Sequence, residues 1–170
     1  MQEEPLTDEI PNIPELDTSL LPIFQRYKDE NASWDANFDV WSYLSLRADS
    51  DLAAAFTKLF WPDFIEVDGC VILKRRYSPE ILTRWMEQYG DDRRAVETTV
   101  NHVHVKDLFL NSTKESSEQL YDFLVDALAF GWKQALQTRY PDKHFTLIIR
   151  RGYDPELTFR QVETHISESD

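Results

Sequence analysis

The sequence has little cysteine, glycine or positive charge, and each shortage excludes something. Cys70 is the single cysteine, so no internal disulfide can form and nothing suits an oxidising compartment. Four glycines, Gly69, Gly90, Gly131 and Gly152, are too few and too scattered for a phosphate-cradling loop or a dinucleotide fingerprint. Lys and Arg number 18 against 31 Asp and Glu, a net charge of −13. Phosphate neutralisation needs a basic surface, so nucleic acid is not an expected partner, and an anionic membrane surface is disfavoured for the same reason. No apolar run approaches the roughly 20 residues of a membrane span. The opening stretch MQEEPLTDEI lacks the basic and apolar regions of an export signal. The expected location is the cytoplasm.

What is present describes a folded chain. Its 170 residues suit one domain. Hydrophobic residues make up 42% and aromatics 13%, enough to build a core from large rings. The charge is uneven: residues 1–39 hold ten of the acids and two of the bases, Arg26 and Lys28, leaving a milder excess beyond. Pro5, Pro11, Pro14 and Pro22 crowd the same segment. Proline lacks an amide donor and holds its predecessor extended, so residues 1–33 are read as an acidic, extended arm. Residues 34–164 form the globular domain and 165–170 a frayed tail.

Asp49 or Ser50 caps a helix that runs to about Phe60, with Leu52, Ala55, Phe56, Leu59 and Phe60 on one face. Pro62 stops it. Phe64 to Leu73 is two β-rich runs around Asp68 and Gly69, the pattern of a two-residue type I′ hairpin. Ser78, Pro79 and Glu80 open the next helix, whose apolar face is Ile81, Leu82, Trp85, Met86 and Tyr89. Over 92–110 helix is favoured, although the β-branched alternation from Thr98 to Val105 makes strand the alternative. Ser116 and Gln119 fit a capping box for a long helix ended by Pro141. A second hairpin closes the domain. The expected fold is α+β: an antiparallel sheet of two hairpins, about 64–73 and 145–162, with three to four helices on one face.

Few residues point to chemistry. On a strand, His102 and His104 would share a side about 7 Å apart and could hold a metal with a third ligand. On a helix they would lie about 200° apart and could not. The helical reading therefore makes no metal site, and no cofactor is expected. The basic pairs Arg75 and Arg76, Arg93 and Arg94, and Arg150 and Arg151 would bind an anionic ligand if they converged. Glu66, in an otherwise apolar strand, is the acid placed beside them. Trp34, Trp41 and Tyr43 are the candidate contacts for a partner. No Gly-x-Ser-x-Gly elbow is present, so no catalytic residue is assigned. Together these features read as a non-catalytic protein-binding module, of the inhibitor or immunity-protein kind, recognising a basic protein or its own second copy. The alternative is a small enzyme or ligand-binding domain that holds an anionic substrate with its arginine pairs.

Overall fold

The computed structural model describes residues 15–33, 35–90, 92–110 and 116–162. Six helices and two antiparallel sheets are present among them. A 3-10 turn, Thr18–Leu20, leads into α1 (Pro22–Asn31), followed by α2 (Val40–Arg47) and α3 (Ser50–Phe60). The hairpin β1 (Phe64–Val67) and β2 (Cys70–Leu73) comes next, then α4 (Pro79–Tyr89), α5 (Arg93–Val100) and the two-residue strand β3 (Val103–His104). The long helix α6 (Glu118–Arg139) precedes the hairpin β4 (His144–Arg150) and β5 (Glu156–Val162). No described helix is long and apolar enough to cross a membrane.

Local chemistry sets most of these boundaries. Asp49 accepts the amides of Asp51 and Leu52 and so caps α3. Ser78 caps α4, with Pro79 in the first turn where its missing amide costs nothing. Asp68 and Gly69 both have positive φ, 52° and 79°, as a type I′ turn requires. For α6 the cap is Ser117, which accepts the Leu120 amide, one residue beyond the expected Ser116.

Two assignments of secondary structure change. A helix, α1, stands at 22–31 where an extended arm was read; Pro22 is its first residue, the one helical position where proline is preorganised. Residues 1–14 of that arm, and the tail 165–170, lie outside the described residues. The second change concerns 92–110, which is both of the readings weighed: α5 ends at Val100 and β3 follows at Val103.

The sheets are β1-β2 and β3-β5-β4. Strand β2 is fully buried on both faces. Val71 and Leu73 join the cluster of α6, with Val125, Leu128, Trp132 and Phe159. Cys70 and Ile72 join Leu82 of α4 and Val96 and Val100 of α5. Helices thus pack against both sides of this hairpin, not one, because a strand apolar on both faces needs two covers. Among the apolar strand residues, Ile72 and Phe159 are fully buried. Ile65, Val67, Leu147 and Ile149 are half-buried.

Gly131 marks where α6 and α3 touch. A Cβ there would lie 2.1 Å from the Phe60 carbonyl oxygen, so only glycine permits the approach. Beside it, the Trp132 indole Nε1 donates to the Leu59 carbonyl at 2.7 Å. The end of α3 is thereby pinned, while residues 50–58 are exposed.

Candidate functional site

Helix α5 carries polar side chains on its buried side. Glu97 and Asn101, one helical turn apart, are both completely buried. They fill the gap between the two sheets, where β2 and β5 lie side by side without a ladder. Glu97 Oε1 accepts the Val71 amide at 2.7 Å and Oε2 accepts the Gln161 amide at 2.6 Å. The Gln161 side chain donates to Oε1 as well, at 2.6 Å. Asn101 accepts the Leu73 amide and donates to the carbonyls of Val71 and Phe159. Two side chains thus satisfy backbone groups that a missing strand would have paired. Burial pushes the Glu97 carboxyl up, against the downward pull of the Gln161 and Val71 amides. With both oxygens occupied by sheet amides, Glu97 serves the fold. Sequence reasoning missed both residues; the available signal was a polar pair at i, i+4 immediately after the inward Val96 and Val100.

Beyond Asn101 the chain turns into β3, which brings His102 and His104 together. Their ring centroids are 4.8 Å apart, edge to face. His104 lies opposite Glu156 in the β3–β5 register. His102 Nε2 is 3.1 Å from Glu156 Oε2, and His104 Nδ1 is 2.8 Å from Asp154 Oδ2. The three residues His102, His104 and Glu156 each offer a ligand atom within 4.8 Å of the others. Burial raises the Glu156 carboxyl, but the His102 hydrogen bond and the charges of His102, Arg150 and His104 outweigh it and hold it low. The other Asp154 oxygen, Oδ1, is buried without a hydrogen-bond partner among the described residues.

Each arginine pair is engaged locally through at least one member. Arg76 donates to the His102 carbonyl, and Arg93 Nε donates to the Asp68 carbonyl at 3.0 Å. Arg150 contacts Glu156 at 3.2 Å and Arg151 contacts Asp126 at 2.6 Å. Arg93 and Arg94 line one cleft with Glu97 and Gln161, whereas Arg75 and Arg76 line another with Trp85 and Tyr77. Glu66 is exposed and paired with Lys143 at 2.6 Å, the position of a strand residue whose outer side meets solvent.

Aromatic residues at the start of the domain divide in two. Tyr43 packs edge-on against Phe24 and Tyr27 and joins α2 to α1. Trp41 is 77% exposed. Trp34 lies outside the described residues. Leu52 and Phe56, on the apolar face of α3, are 55% and 37% exposed, and Phe56 stacks on Phe109 at 6.3 Å. Leu44 and Trp61 add further exposed apolar surface. Asp35, Asp39, Asp49 and Asp51 are exposed along the same stretch.

Comparison with curated proteins and with solved structures gives no match. A family model does match, over residues 39–164, a span that starts at the Asp39 cap of α2 and contains the histidine cluster and the face of α3. The chain belongs to the Uncharacterized protein PM0498 family.

Proposed function

We propose that this chain is a protein-binding module that takes a basic, aliphatic segment of a partner protein on α3 and the adjoining part of α2. The observation that carries the reading is the apolar face of α3. Its far end, Leu59 and Phe60, packs on the core, while Leu52 and Phe56 on the same face meet solvent. Fully burying an exposed side chain of this size is worth about 1.5–3 kcal/mol, of which about half remains to be gained at Leu52 and Phe56, and a large exposed apolar surface rimmed by charge marks interaction sites.

Charge selects the occupant. Asp35, Asp39, Asp49 and Asp51 are exposed from just before α2 to the start of α3, against the bases Arg47 and Lys58, and the chain as a whole carries −13. A second copy would bring the same charge to the contact and be repelled, whereas a basic segment would be steered in. The arginine pairs, each with at least one member turned to a neighbour in its own fold, give less support to an anionic substrate.

The test uses a photo-crosslinking residue at position 52 of the full chain, with position 83 on α4 as control. A partner captured only through position 52 is then purified and titrated directly. Binding that weakens with salt and is lost in a Leu52→Asp, Phe56→Asp variant supports the reading. Crosslinking to another copy of the chain, or binding indifferent to those substitutions, overturns it.

A further inference from the structure

We propose that His102, His104 and Glu156 bind a divalent transition-metal ion of the zinc class, with Asp154 as the carboxylate that orients His104. The site is separate from the face of α3 and does not depend on it.

The donor set comes first. Two imidazoles and one carboxylate form a mixed nitrogen and oxygen set that suits zinc and its neighbours, whereas calcium and magnesium take oxygen alone. Geometry comes second. The three ligand atoms lie within 4.8 Å of one another. Around a tetrahedral ion with bonds of about 2.1 Å, ligand atoms stand about 3.4 Å apart. Side-chain rotation covers that difference, because the backbone already has the residues in place. His104 and Glu156 are cross-strand partners, and the Val105 amide, bonded to the Pro155 carbonyl at 2.8 Å, holds the β4–β5 loop against β3.

Asp154 supplies an independent sign. Its Oδ2 contacts His104 Nδ1 at 2.8 Å. A carboxylate in that position takes the ring N–H and leaves the other ring nitrogen as a lone pair, the arrangement that recurs behind metal-bound histidines. Its Oδ1 is buried with no donor among the described residues, an acceptor that a nearby cation would offset. The rings of His102 and His104 are half-buried, so an ion can reach them.

Arg150 makes the site regulable. It contacts Oε2 of Glu156, the same oxygen that faces His102. The guanidinium therefore competes with a metal for that oxygen. Arg150 is exposed and can swing into solvent when an ion arrives.

The experiment is calorimetric titration of the full chain, made without a histidine tag and stripped by chelator, with zinc alone and then with magnesium alone. One zinc per chain and no magnesium are expected. His102→Ala and His104→Ala should each weaken zinc binding at least about 100-fold, and Asp154→Asn about 10- to 100-fold. Arg150→Ala should tighten it, an effect that a merely structural role would not produce. Where a histidine variant does not fold, NMR of the natural chain decides: zinc should shift the imidazole signals of His102 and His104 and leave that of His144 in place. No stoichiometric zinc, equal uptake of magnesium, or shifts led by His144 would overturn the site.

Discussion

Replacing Glu97 by alanine should be among the most damaging single changes in this protein, and its cost can be worked from its contacts. The Val71 amide is buried and loses its acceptor. An orphaned buried donor costs about 1–3 kcal/mol. The Gln161 amide and side chain, partly buried, lose their acceptor too, and water replaces some of that. A total near 2–4 kcal/mol follows, a large fraction of the roughly 5–15 kcal/mol that holds a domain of this kind together. Urea unfolding followed by tryptophan fluorescence measures it. Acidity supplies a second readout. Burial raises the Glu97 carboxyl above the ordinary glutamate value. A group with a raised folded pKa contributes stability that is fully present below its unfolded value and lost as pH rises through the folded one. Natural protein should therefore lose stability relative to Glu97→Gln as pH climbs out of the usual carboxylate range. A Glu97→Ala loss under about 1 kcal/mol, or a difference from Glu97→Gln that does not change with pH, would refute the bridging role.

Three further outcomes are expected. Gly131→Ala should destabilise the chain despite alanine's helix propensity, because the new methyl would meet the Phe60 carbonyl at 2.1 Å; a gain of about 1 kcal/mol, the propensity value alone, would show that α6 and α3 do not approach so closely. Burial, and then the Glu97 charge, push the Cys70 thiol up to about 11, so a thiol reagent at pH 8 should react slowly with native protein and quickly in denaturant. Phe159→Ala, at a fully buried site touching Phe64, Trp132 and Phe145, should cost about 3–5 kcal/mol, and half-buried Leu147→Ala distinctly less by the same unfolding assay.

Much of the fold was legible because local rules and tertiary demands agreed. Asp68 and Gly69 announce the hairpin through a turn type that few other pairs allow. Asp49, Ser78 and Pro79 mark helix starts by their chemistry. Where two rules competed, reading was harder. Pro22 counted against helix by abundance and for it by position, and position prevailed. From Thr98 to Val105 the β-branched residues fit a strand, yet Val96 and Val100 needed a helical face to reach Cys70 and Ile72; the chain satisfies both in succession. Glu97 and Asn101 were invisible because the groups they satisfy, at Val71, Leu73 and Gln161, lie 26 to 64 residues away. The histidine cluster was conditional in sequence on a strand only two residues long, and its third member, Glu156, comes from a different hairpin. The apolar face of α3 is legible in the sequence but its exposure is not, since periodicity reports which residues are apolar but not whether anything covers them.

The proposed role of α3 is tested most directly by amide hydrogen exchange on the full chain, with and without the partner captured through position 52. Docking on this face should slow exchange over residues 50–56 and leave the β4–β5 hairpin unchanged. Slowing confined to the sheet, or none anywhere, would contradict it.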